Sequence, residues 1–194
     1  MKIAIIGGVS KKSSGLLDLG REWQFWCLNS CMPKWLSPKY VRIDKWFHLH
    51  KRSGLEREIP EHLEQFELWA MAHDEMEFVL LEPWKSLPNA VILPRAELEA
   101  MPRGNYHCGS FDYMVAYAVL LGAKEIFLTG IGLHRESGEP MSAGPCLEYW
   151  CGYAEGRGVK ITAASDCDLF WNYRLVRDHR AYGYDDFDLV ETVT

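Results

Sequence analysis

The sequence predicts an α/β fold, a single domain whose mainly parallel sheet is covered by helices on both faces, and three observations carry that expectation. The chain opens on an apolar, largely β-branched run, Ile3-Ala4-Ile5-Ile6, that shows no polar alternation and empties into Gly7 and Gly8. Strands of this kind are buried on both faces and belong to parallel sheets. A strongly apolar, helix-like segment from about Phe111 to Leu121 is followed by a second such run, Ile126-Phe127-Leu128-Thr129, and then by the turn Gly130-Ile131-Gly132. If the sheet is parallel, both glycine turns open on one crevice at the carboxyl ends of the strands. Finally, 194 residues of which 48% are apolar suffice to bury a sizeable core without staples.

The elements follow in order. After the first strand, Leu16, Leu17 and Leu19 suggest a short helix, and Trp23 to Leu28 forms a second apolar strand that stops at Asn29. Pro33 and Pro38 break the chain before a third strand built on Tyr40, Val41, Ile43, Trp46 and Phe47, which ends in His48-Leu49-His50. From Pro60 to Asp74, Leu63, Phe66, Trp69 and Ala70 recur at helical spacing, with Glu61 and Glu64 near the amino end where the helix dipole favours them. Phe78 to Leu81 and Ala90 to Leu93 read as short strands, and Glu97 to Met101 as a helical turn. Ser110 is placed to cap the apolar helix at its start and Gly122 at its end. Leu147 to Glu155 forms a further helix, and Val159, Ile161 and Thr162 a last strand. Residues 1–170 make up the domain; residues 171–194, rich in Tyr, Arg and Asp, read as an aromatic and acidic carboxyl-terminal arm.

Composition narrows the function classes. A formal charge of -6 argues against a general nucleic-acid-binding surface, which needs a basic face to neutralise phosphates. No apolar run reaches bilayer-spanning length, and the opening segment reads as a core strand and not as a signal peptide, so a soluble, cytoplasmic protein is expected. The six cysteines are scattered, and neither Cys27 with Cys31 nor Cys146 with Cys151 has the two-residue spacing of the commonest zinc and redox motifs. Free thiols are expected, and no metal site. The residues name no cofactor and leave the oligomeric state open, a homo-oligomer included.

The candidate site gathers around the first turn. Gly7 and Gly8 allow a sharp turn and close approach of a ligand to backbone amides, Ser10, Ser13 and Ser14 offer hydroxyls, and Lys11 and Lys12 offer charge. The loop matches neither named phosphate motif: it lacks Gly-x-Gly-x-x-Gly, and its Lys and Ser precede the last glycine instead of following it. An anion-binding turn and a plain strand-to-helix turn both remain open on these residues. Asn29, at a strand end, faces the crevice or serves as a turn residue. His48 and His50 would share a face in extended chain and could hold a metal, bind an anion or transfer protons, and His134 on the segment after the glycines is available as acid or base. The stretch Gly104-Asn105-Tyr106-His107-Cys108-Gly109-Ser110 leads into a helix start, a natural anion site, and Gly130, at the end of the later strand, is expected on the same crevice.

Three pieces together carry a resemblance: Ile5 to Ser10, Ile43 to His50, and Ser110 to Ile131, with Glu148, Tyr149 and Trp150 extending it. They resemble small Rossmann-like proteins of bacterial viruses related to the 6-hydroxymethylpterin pyrophosphokinase-like group and, more remotely, to sialyltransferase-like folds. The resemblance implies a Rossmann-like fold, a viral origin and residence in the cytoplasm of an infected bacterial host. In that group the strand ending at Gly130 is usually followed within two residues by an aspartate that serves metal-bound phosphate; here the stretch is Gly130-Ile131-Gly132-Leu133. Without that carboxylate, metal-assisted diphosphate transfer lacks its anchor.

Three functions are consistent with these readings. The first is a nucleotide- or nucleotide-sugar-binding transferase-like protein, with phosphates at the first loop and the Ser110 helix start, and His48, His50 or His134 as acid or base. The second is a non-catalytic binder that sequesters a phosphorylated nucleotide or signalling molecule. The third is a structural or assembly protein on the same fold, making its contacts through the arm. The partner in the first two is a phosphorylated small molecule, with neither nucleic acid nor membrane expected.

Overall fold

A computed structural model describes residues 1–8, 19–28, 42–73, 75–133, 143–164, 167 and 169. Its strands, β1 (Lys2–Ile6), β2 (Trp23–Leu28), β3 (Lys45–His48), β4 (Glu77–Leu80), β5 (Val91–Ile92), β6 (Glu125–Thr129) and β7 (Lys160–Ala163), form one seven-stranded sheet in the order β5-β4-β3-β2-β1-β6-β7. Every pairing is parallel. The helices are α1 (Arg52–Glu58), α2 (Pro60–Met71), α3 (Arg95–Glu99), α4 (Ser110–Leu120) and α5 (Ala143–Gly156). The expected α/β architecture is what the chain adopts.

Strand order follows from the handedness of crossovers. From β1 to β5 the sheet grows in one direction; β6 then returns to the far side of β1, and β7 extends the sheet that way. Because parallel crossovers are right-handed, reversal of direction moves the connecting helices to the opposite face. Side-chain contacts agree. Trp46 and His48, on one face of β3, meet Trp69 and Phe66 of α2 at ring-centroid distances of 4.5 Å each, whereas Phe47, on the other face, meets Tyr117 of α4 at 6.0 Å. Ile3, Ile5, Trp26, Ile126 and Leu128 are fully buried, as strands covered on both faces must be.

α4 is the most apolar helix and has little exposed surface, since Phe111, Met114, Val115, Ala116, Tyr117 and Ala118 are all buried between the sheet and α5. It ends as predicted at Gly122, whose φ of 77° closes a paired turn: Ala123 N–H donates to the Ala118 carbonyl and Gly122 N–H to that of Val119, each at 3.0 Å. Its start differs from expectation. Gly109 occupies the cap position and Ser110 is the first helical residue, because Asp112 reaches back from the first turn to accept hydrogen bonds from the Cys108 and Gly109 amides at 2.7 and 3.0 Å.

Other boundaries shift for local reasons. The sequence gives no sign of α1, whose seven residues include Gly54 and bury only Leu55, too little for a periodic signal. The third strand begins at Lys45, two residues after Ile43; Tyr40 and Val41 lie outside the described residues, as do the suggested helix around Leu16 and the arm from residue 171. α5 starts four residues before Leu147, since Pro145 is tolerated in a first turn whose amides have no partners to lose. An Arg52-centred cluster ties α1 to α2 and to the segment after β4: Arg52 pairs with Glu67 at 3.0 Å, its amide donates to Glu82 at 2.9 Å, and the Ser86 hydroxyl also donates to Glu67. Burial pulls the Glu67 carboxyl upward, but the hydrogen bonds from Arg52 and Ser86 outweigh it and the net shift is downward.

Candidate functional site at the reversal of strand order

The crevice of a doubly wound sheet opens where the strand order reverses, because the two chain segments leave the sheet there toward opposite faces. In this chain that point lies between β1 and β6. Lys2 through Ile6 run beside Glu125 through Thr129 in unbroken register, and the ladder is continued by Gly7, whose N–H donates to the Thr129 carbonyl at 2.8 Å. The two glycine turns are therefore adjacent.

Their contact is close enough to require glycine. A Cβ on Gly7 would clash with the Gly130 carbonyl group, lying 2.7 Å from its carbon, and would stand 3.0 Å from Cζ of Phe111. Gly130 itself has a φ of 64°, a conformation that suits glycine. Phe111 belongs to the first turn of α4, so the start of that helix meets both turns. The start of α5 stands next to it, since a Cβ on Gly109 would meet that of Ala143 at 3.8 Å, and Leu133 lies 3.8 Å from the corresponding position on Gly144. Two strand ends and two helix starts thus converge, and first-turn helix amides lack intrahelical partners and attract anions.

Of the residues singled out from sequence, Gly7 and Gly130 meet at this junction, and Gly8 and Ser110 are the chain neighbours of Gly7 and Phe111 there. Ser10, Ser13, Asn29 and His134 lie outside the described residues. His48 and His50 are not at the junction: β3 is separated from β1 by β2, about 10 Å in the pairing direction. His48 does end its strand, but its side chain is not the accessible group that a strand end suggested. It is 1% exposed and enclosed by Phe66, Trp84 and His50 at ring-centroid distances of 4.5, 5.2 and 5.5 Å. Strand alternation puts it on the α2 face, where the aromatic residues of α2 supply the packing. Burial first, and then the charges of His50 and His62, lower its pKa from 6.5 to about 3, so the ring stays neutral at physiological pH. His50 is exposed.

Sequence reasoning gave Asp112 no role beyond its place in a helix start. Its buried carboxylate holds the turn before α4, accepting from two amides and pairing with His107 Nδ1 at 3.1 Å. The signal for it was the spacing of an acidic residue three positions after a glycine that precedes an apolar run. Nearby, Cys146 of α5 shares hydrogen bonds with Cys108 and Tyr106; burial, followed by that contact with Cys108, pushes its thiol pKa up to about 12. Among the described residues, no three His, Cys, Asp or Glu side chains gather to hold a metal ion. No described helix is long and apolar enough to cross a membrane.

Neither a family model nor a curated protein matches the sequence. Solved structures do match in fold. The sialyltransferase CstII from Campylobacter jejuni, in complex with the substrate analogue CMP-3FNeuAc, aligns over 84% of this chain and 80% of its own, with a TM-score of 0.55 and 17% identity. The sialyltransferase CST-II in complex with a trisaccharide acceptor and CMP aligns over 87% of this chain and 86% of its own, with a TM-score of 0.58 and 16% identity. What is shared is the fold, a parallel sheet with its helices.

Proposed function

We propose that this chain binds a nucleotide or nucleotide sugar through its phosphates in the crevice between β1 and β6, and acts there as a transferase-like protein serving a bacterial virus. The observation that carries the reading is the contact of Gly7, Gly130 and Phe111 at the point where the strand order reverses. It leaves room for backbone, but not for side chains, beside two helix starts, and that is the environment in which amides bind phosphate oxygens. The CMP complexes of the fold's structural neighbours support a nucleotide over a bare anion. In this reading Gly7, Gly8, Ser110 and Gly130 line the phosphate site, and Ser10, Ser13 and Asn29, which follow β1 and β2 in sequence, add donors. Proton transfer falls to His134, since His48 ends β3 and His50 follows it, and β2 separates that strand from the junction.

A second reading, a binder that sequesters the nucleotide without turning it over, is favoured by one feature: neither Ile131 nor Gly132 is the aspartate that the resembled group usually carries within two residues of Gly130. Calorimetry with CMP, together with an assay for CMP release from a CMP-sugar in the presence of a sugar acceptor, separates the two. The phosphate site depends on amides more than on exposed charge, so Gly8→Val should weaken CMP binding more than Lys11→Ala does. CMP binding with no CMP released by the parent protein selects the sequestering reading. Absence of binding by CMP and other nucleotides overturns both and leaves an assembly role. If release is observed, a histidine acting as acid or base should lower kcat by roughly 100- to 10,000-fold when replaced by Ala, whereas a binding histidine should mainly raise KM.

A further inference from the structure

The turn before α4 holds an imidazole whose placement packing alone does not explain. The His107 and Asp112 side chains are each 1% exposed and face each other, Nδ1 to Oδ1, at 3.1 Å. The other carboxylate oxygen is occupied by the amides of Cys108 and Gly109. An ionised carboxylate only accepts, so the hydrogen bond assigns the proton of a neutral ring to Nδ1 and leaves the lone pair on Nε2. Both ring faces are held: Tyr113 of α4 stacks at 3.8 Å and Trp150 of α5 at 4.8 Å, each within 9° of parallel. Trp150 is fixed in turn by donating from Nε1 to the Tyr106 carbonyl at 2.9 Å. Nε2 is buried and has no hydrogen-bond partner.

A ring meant only to fill space would need neither the carboxylate nor the tautomer it enforces, and a buried acceptor left unpaired opposes folding. The ring also stands near the surface: the His107 backbone is partly exposed although its side chain is not, and Tyr106 and Cys108 on either side are exposed. His107 lies two residues before Gly109, whose Cβ position meets Ala143 at the α5 start, and its ring packs on Trp150 further along that helix. We propose that His107 Nε2 accepts a hydrogen bond from a sugar hydroxyl of the nucleotide, with Asp112 as the positioning residue that keeps the lone pair available. The inference rests on the nucleotide reading above and adds to it the group that recognises the sugar, as distinct from the phosphates.

The test compares CMP with inorganic phosphate, which shares the anion and lacks the sugar. His107→Phe keeps a flat ring between Tyr113 and Trp150 and should weaken CMP binding about five- to tenfold while leaving phosphate binding unchanged. His107→Gln, which can present an acceptor near the Nε2 position, should recover part of the loss. In the unaltered protein, nitrogen NMR of His107 should show the Nδ1–H tautomer, with the Nε2 resonance moving toward the hydrogen-bonded position when CMP is added and not when phosphate is added; this readout stands even if a variant fails to fold. CMP binding with an unmoved Nε2 resonance, or equal loss of CMP and phosphate binding in His107→Phe, overturns the proposal and leaves the nucleotide reading intact. Failure of CMP to bind the parent protein overturns both.

Discussion

His48 shows how one side chain couples packing to pH. Its ring titrates at about 3 in the folded chain against 6.5 ordinarily, with burial as the main cause and His50 and His62 as secondary ones. Between those values the unfolded chain binds a proton that the folded chain refuses, so this contribution to stability is complete above about pH 6.5 and is lost as pH falls toward 3. At pH 5 the loss amounts to about 2 kcal/mol. His48→Phe keeps an aromatic ring against Phe66 and Trp84 and has nothing to titrate, so its melting temperature should fall less between pH 7 and pH 5 than that of the parent. Parallel melting curves for the two proteins across that range would show that the buried ring is not the titrating group.

At the scale of elements, the β1–β6 joint and the two helix starts depend on different glycines in different ways. Gly7 sits where any side chain collides with the Gly130 carbonyl and crowds Phe111. Gly7→Ala must therefore push β1 and β6 apart or move α4, and urea denaturation should show a loss of about 1–3 kcal/mol, the range of overpacked cores. Gly109 serves as the control. Its added Cβ meets Ala143 at 3.8 Å, an ordinary contact, and its extended φ of -158° suits any residue. Gly109→Ala should cost under about 1 kcal/mol, since Asp112 and not the cap residue supplies the side-chain hydrogen bonds.

Over the whole molecule, the two-sided cover of the sheet decides which groups meet reagents. Of the thiols whose surroundings are described, Cys27, Cys146, Cys151 and Cys167 are buried and Cys108 is exposed. Burial also raises the thiol pKa of Cys146 and Cys151, which removes the reactive thiolate at neutral pH. Among these five, Cys108 alone should be alkylated by iodoacetamide under native conditions, with the other four following in urea, as read by mass spectrometry of the digested protein. Native labelling of Cys151 would mean that the α5 face opens far more readily than its packing implies.

Much of this architecture is determined by sequence because it rests on local pattern. The unbroken apolar runs at Ile3–Ile6 and Ile126–Thr129 can be satisfied only in strands covered on both faces, and an all-round apolar helix such as α4 can be satisfied only between a sheet and another helix. The glycine turns after those strands were likewise legible as turns, each directly following its apolar run. What the tertiary structure alone decided is which strand ends stand side by side. Strand order is a long-range property: β6 could have joined either edge of the growing sheet, and its insertion beside β1 is what brings Gly7, Gly130 and Phe111 into contact. The same long-range packing set the histidines apart. His48 and His107 look alike in sequence, each a histidine next to aromatic residues, but the aromatic residues of α2 enclose one as a neutral core ring, while Asp112, Tyr113 and Trp150 fix the tautomer and orientation of the other.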